Sequence, residues 1–245
     1  MSAPETAPME LIRQDPALGR LFEEVDEKMK GDPGHDVAHL LRVAEWTLRL
    51  GEGKLASRRA IAAALLHDIV NVPKNSPDRS KASEWSAEES RKILGKLGFS
   101  EEEIQDVSLA VRQHSFSRGE RPDTLLAKCL QDADRLETLG AIGLCRVIST
   151  GTLMGAAYFD SGDPWAERRE LDDRAYSVDH FFRKIFKIPG LMNTEGGKRE
   201  ARHRLAIMHD FLAQLGHELG APYRRAELGG PVSGPVSGKG PSTPS

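Results

Sequence analysis

The chain has 245 residues, with 34 Lys and Arg against 37 Asp and Glu and a formal net charge of −3, so no global positive field holds nucleic acid or an anionic membrane nonspecifically. Any anionic ligand must be bound locally, and the longest apolar run, Ala60 to Leu66, falls far short of the about 20 residues that a membrane-spanning helix needs. The opening MSAPETAPMELIRQDP has neither a basic start nor an apolar stretch, which predicts a cytoplasmic protein, and Cys129 and Cys145, without metal-type spacing, are expected to be reduced, buried and inert.

In chain order, a helix is predicted from near Gly34, with Leu40, Val43, Ala44, Thr47 and Leu48 as its apolar stripe and Gly51 as its stop. A shorter helix follows a Ser57 cap and carries Ile61, Leu65 and Ile69. Residues 70–84, with Pro73 and Pro77, read as a loop, and helices are expected over 84–97, 101–115, 123–131 and 134–148. The Gly- and Asp-rich stretch 149–175 is a second long loop; loops of this length in a compact domain are often functional. A helix over 178–187 precedes a long amphipathic one on Ala201, Leu205, Met208, Leu212, Leu215 and Leu219, closed by Gly220 and Pro222. In residues 229–245, 13 of 17 are Gly, Pro or Ser, a composition that cannot bury enough apolar surface to order itself. No segment alternates as a strand does, so the expectation is an all-α domain over 1–228 with a disordered tail over 229–245.

Chemistry concentrates in three helical segments. His35, His39, Arg42 and Trp46 stack on one helix face, which alone reads more readily as a solvated surface than as a site. His67-Asp68 follows directly on the apolar AIAAALL, where an ionised Asp is costly unless paired or bound to a cation. QDADRLE adds Asp132 and Asp134. Imidazole nitrogens with carboxylate oxygens suit Mn, Fe, Co, Ni or Zn, with Mg where carboxylates dominate. Such an ion lowers the pKa of a bound water and makes it a nucleophile for hydrolysis.

His39 in HLLRV, the adjacent His67-Asp68 and Asp134 in DADRL resemble the H…HD…D signature of the HD-domain superfamily of metal-dependent phosphohydrolases. GHDVAHLLRV, HDIVNVPKNSPDRSKAS, QHS, QDADRLETLGAIGLCRV and DHFFRKIFKIPGLMNTEGGKREA further resemble a bacterial branch of small stand-alone HD proteins, over roughly residues 30–220. The resemblance implies a single helical bundle and one divalent transition metal ion, Mn foremost, on His39, His67, Asp68 and Asp134, with Asp132 behind them. It implies hydrolysis of a small nucleotide, foremost a nucleoside or deoxynucleoside triphosphate cleaved to release pyrophosphate. A 5'-nucleotidase or phosphodiesterase of the same chemistry is the alternative, and a non-catalytic nucleotide-binding module a more distant one.

One departure from the pattern is Asn71, which stands where many HD nucleotidases carry a carboxylate three residues after the HD aspartate. Asn71 can hydrogen-bond water or phosphate but cannot take up a proton. Proton transfer beside Asp68 then falls to His114 or His35, with His114 placed ahead, an imidazole having an unperturbed pKa of about 6.5. Phosphate contacts are expected from Lys74 and Arg79, on the loop leaving the HD pair, with Lys81 beside them; Arg42 and Arg135 are weaker candidates, and Arg118 and Arg121 suit a mobile loop.

Overall fold

The computed structural model describes residues 8–29, 37–72, 76–115 and 120–224. All regular structure among them is helical: α1 (Pro8–Gln14), α2 (Pro16–Met29), α3 (Val37–Gly51), α4 (Ser57–Leu66), α5 (Ala82–Lys96), α6 (Glu101–Gln113), α7 (Leu125–Leu136), α8 (Gly140–Leu153), α9 (Asp179–Arg183) and α10 (Glu195–Leu219). Two 3₁₀ turns, Arg79–Lys81 and Ile185–Leu191, join them, and the only extended pairing among the described residues is the bridge between Ala157 and Tyr176. The all-α expectation holds. None of these helices is long and apolar enough to cross a membrane. The chain divides into two compact units, 1–208 and 209–245.

In the first unit, α4 is central. Every residue from Ala60 to His67 is buried, which explains why its sequence is apolar all round rather than striped. Helices α3, α6 and α7 pack about it, and α5 lies against α6. Arg59 pairs with Glu102 and Asp106 and so ties α4 to the first turn and a half of α6, itself closed by a capping box between Ser100 and Glu103. The N-terminal pair α1 and α2 is an element that the sequence reading passed over. Asp15 accepts from the amides of Ala17 and Leu18 ahead of Pro16 at the first helical position, and Leu18, Leu21 and Val25 are buried.

Several expected boundaries move. Ser57 is the first residue of α4 rather than its cap, since the extended residue before the helix is Ala56, with no side-chain cap bond. The helices expected over 123–131 and 134–148 are divided differently: α7 runs unbroken through Asp132 and Asp134, capped by Thr124, whose hydroxyl accepts from the Ala127 amide. The break falls at Glu137–Leu139, and Gly140, at φ +71, supplies the left-handed turn that opens α8. Helix α8 continues to Leu153, so the loop is shorter than 149–175. What remains is held by carboxylates: Asp160 accepts from the amides of Gly162 and Asp163, and buried Asp179 takes a two-nitrogen pair from Arg169. Cys129 is buried, with its thiol pushed up to about 12 by burial first and then by Asp132, but Cys145 is exposed on α8, against the expectation that both are buried.

In the second unit the described residues, 209–224, comprise the end of α10 and a short extension in which Tyr223 stacks on His209 and its hydroxyl lies 2.7 Å from Nδ1. The expected tail, 229–245, lies outside the described residues, as do His35, Lys74 and Arg118.

Candidate metal centre and its cleft

The chain brings its ligand-bearing groups together at helix ends. His67 is the C-cap of α4, His114 the C-cap of α6, and Asp134 sits in the last turn of α7, while His39 projects from the first turn of α3. Three helix C-termini therefore meet, and the negative ends of their dipoles favour a cation. His39 Nε2 lies 3.4 Å from His67 Nε2, and each lies 3.8 Å from Asp134 Oδ1. Asp68 spans the next interval, with Oδ2 at 3.6 Å from His67 Nε2 and Oδ1 at 3.4 Å from His114 Nε2.

The tautomers follow from the far sides of the rings. His67 Nδ1 is 2.8 Å from the Ala64 carbonyl, which only accepts, so Nδ1 carries the proton and Nε2 a lone pair. Burial pushes the His67 pKa down to about 4, against the opposing pull of Asp68 and Asp134, so the ring is neutral at neutral pH. His39 Nδ1 faces Glu137 Oε2 at 3.3 Å, and the same oxygen accepts from Arg42 Nε at 2.9 Å. Burial opposes ionisation of Glu137, but His39 and Arg42 outweigh it and hold the carboxyl below its usual range, so it accepts from the imidazole. Two buried lone pairs thus point at one another across 3.4 Å with a carboxylate beside them. That arrangement is repulsive unless a cation stands between, and ligand atoms about 2.1 Å from one ion are about 3.0–3.4 Å apart. The donor set fits a divalent transition metal.

His114 differs. Its Nδ1 lies 2.6 Å from the Val111 carbonyl, and although burial disfavours its charged form, Asp68 and Asp134 together raise its pKa above the ordinary value. Both ring nitrogens face oxygen acceptors, Nδ1 the Val111 carbonyl and Nε2 the Asp68 carboxylate.

A cleft of about 580 Å³ opens over these groups. Its lining includes Asp68, Asp134 and His114, with Arg79, Ala82 and Ser83, and Arg146 from α8, Arg174, His180 and Lys184; Arg146 Nη1 lies 3.5 Å from His39 Nδ1. Its size suits a small-molecule ligand and its cations an anionic one.

Arg79 lines the cleft, with Nη1 donating to the Val72 carbonyl at 2.6 Å and 3.5 Å from Asn71 Oδ1; Asn71 itself is exposed. Arg42 is not among the residues lining this cleft: its guanidinium is held by Glu137, so it supports His39 rather than meeting phosphate. Asp132 is also corrected. It faces away from the imidazoles and accepts from the amides of Asn193 and Thr194 and from both their side chains, capping the approach to α10. Arg121 and Arg135 line a separate cleft, where Arg135 donates to the Leu191 carbonyl. Glu137, Arg146, Arg174 and Lys184 were not singled out from sequence. Two of them had a signal: Glu137 lies one turn beyond Asp134, and Arg146 is the single charge in α8.

An all-helical bundle with histidines and aspartates of this order converging under a cationic cleft defines a metal-dependent hydrolase of phosphorylated compounds. The chain belongs to the HD-domain superfamily of metal-dependent phosphohydrolases: the HD domain family model matches residues 37–139, a span that contains His39, His67, Asp68, His114 and Asp134. It is 30% identical over 187 residues to YpgQ of Bacillus subtilis (strain 168), covering 74% of this chain and 83% of that protein. Among solved structures, B. subtilis YpgQ in complex with ADP superposes with a TM-score of 0.63 at 25% identity, over 82% of this chain and 96% of the other. An HD-superfamily hydrolase from Bacillus thuringiensis gives 0.64 at 28%, over 87% and 99%.

Proposed function

We propose that this protein hydrolyses a small nucleotide, foremost a nucleoside or deoxynucleoside triphosphate, which it cleaves to a monophosphate and pyrophosphate. The observation that carries the reading is the joining, in one cleft, of the imidazole–carboxylate cluster with the cations Arg146, Arg174 and Lys184. The ADP complex of the related YpgQ supports a nucleotide as ligand.

His39, His67, Asp68 and Asp134 would hold the metal, with Mn as the proposed native ion. A divalent ion there supplies charge neutralisation at phosphorus and a water of lowered pKa. The chain's own groups do the rest. Glu137 and the Ala64 carbonyl fix the imidazole tautomers so that Nε2 lone pairs face the centre. His114, with Nδ1 tied to Val111, presents Nε2 beside Asp68 and is the group placed to hold and pass a proton, a role that Asn71 cannot fill. Arg79, Arg146, Arg174 and Lys184 receive phosphoryl oxygens and stabilise the charge that develops in the transition state.

The test is product analysis. Purified, Mn-loaded protein offered a panel of nucleoside tri-, di- and monophosphates should release pyrophosphate from triphosphates, and chelation should abolish turnover. His67→Ala and Asp68→Ala should lose both metal and activity. Orthophosphate released from monophosphates instead would select the 5'-nucleotidase alternative, and full metal occupancy in both variants would reject the ligand assignment.

A further inference from the structure

Helix α5 buries a line of three serines. Ser83, Ser86 and Ser90 are 2%, 0% and 0% exposed, spaced so that they share one face. Two of the three are occupied: Ser86 Oγ accepts from the Val70 amide at 3.2 Å, and Ser90 Oγ donates to the Ser86 carbonyl at 2.6 Å. Among the described residues Ser83 Oγ has no partner. A buried hydroxyl left unpaired costs about 1–3 kcal/mol, and Ala, which favours the helix, would fill the same space without that cost.

What distinguishes Ser83 from its neighbours is where it stands. It and Ala82 are the first residues of α5 and line the cleft that also holds Asp68, His114 and Asp134. The 3₁₀ turn Arg79–Lys81 runs straight into the helix, with the Ala82 amide donating to the Arg79 carbonyl, and Arg79, one turn before Ser83, lines the same cleft. An unserved buried hydroxyl and a guanidinium one turn apart therefore line one cleft with the candidate metal ligands Asp68 and Asp134.

We propose that the first turn of α5, with Ser83 Oγ as donor and Arg79 as counter-charge, is an oxyanion subsite that takes a phosphoryl oxygen of the substrate. The proposal rests on the phosphohydrolase reading above. Its ligand class is a phosphate or polyphosphate ester, and the contact is with phosphate, not with base or sugar. Arg79 is already steadied by the Val72 carbonyl, so it meets the oxygen at little further cost in side-chain order.

The test is calorimetric titration of the Mn-loaded protein with ADP, with inorganic pyrophosphate and with adenosine, on wild type, Ser83→Ala and Ser86→Ala, alongside melting temperatures without ligand. Loss of a hydrogen bond to a charged oxygen should weaken ADP and pyrophosphate about tenfold or more in Ser83→Ala and leave adenosine unchanged. The same variant should melt no lower than wild type, because an unpaired hydroxyl has been removed; Ser86→Ala, which strands the Val70 amide, should melt lower. Unchanged pyrophosphate and ADP affinity in Ser83→Ala, or equal weakening of all three ligands, overturns the subsite and leaves the enzymatic reading standing. Wild-type protein that binds neither ADP nor pyrophosphate overturns both.

Discussion

Replacing Glu137 by Gln keeps the side chain's volume and removes its charge. Glu137 is 1% exposed and its Oε2 serves two donors, His39 Nδ1 at 3.3 Å and the Arg42 guanidinium at 2.8 Å. An amide in its place offers one weaker acceptor for both, so His39 loses the charge-assisted bond that fixes its tautomer and aims Nε2 at the centre. Partners of this kind behind a metal-ligating histidine change affinity by about 10- to 100-fold. A bound metal stabilises the fold by an amount that falls about 1.4 kcal/mol for each tenfold loss of affinity at fixed excess of free ion, so the variant should forgo about 1.4–2.7 kcal/mol of metal-induced stability. For a chain of this size that is about 3–10 °C less rise in melting temperature on adding Mn. Mn titration followed by electron paramagnetic resonance reads the affinity directly, and calorimetric melting with and without Mn reads the linkage. A Mn affinity within twofold of wild type, with only the metal-free melting temperature lowered, would refute the reasoning and leave Glu137 as a tie between α3 and the end of α7.

Asp132→Ala and Asp134→Ala should part company: the first strands the amides of Asn193 and Thr194 and should cost about 1–3 kcal/mol in denaturant melts while Mn content stays, and the second should empty the metal site with a smaller loss of stability. Arg169→Ala leaves the fully buried Asp179 without its two-nitrogen partner and should destabilise by about 3–5 kcal/mol, measured by urea unfolding; a change below about 1 kcal/mol would show that Asp179 protonates or rehydrates freely. Thiol titration of the native protein should find Cys145 reacting readily and Cys129 only on unfolding, since burial has pushed the Cys129 thiol up to about 12; two fast thiols would contradict its burial.

Much of this was readable along the chain because it is local. An apolar stripe, a capping pair or a stop glycine acts within a turn or two, so helices such as α3, α6 and α10 declare themselves, and His39, His67-Asp68 and Asp134 stand out by residue type and order. Even so, proximity in sequence misleads within one helix. Asp132 and Asp134, two residues apart, are turned about 200° from one another, so they cannot serve one site, whereas Glu137, three beyond Asp134, returns to within about 60° of it. Which of the two faces meets the imidazoles was decided by packing: α7 lies with Asp134 and Glu137 toward α3 and with Asp132 toward the segment entering α10. The cationic lining of the cleft was decided the same way. Arg146, Arg174 and Lys184 come from separate segments with no common spacing, and only the folding of α8 and the chain after it over the ends of α4, α6 and α7 makes them one surface. Local patterns choose helices and offer ligands; the long-range contacts that bury α4 choose which of those groups face one another.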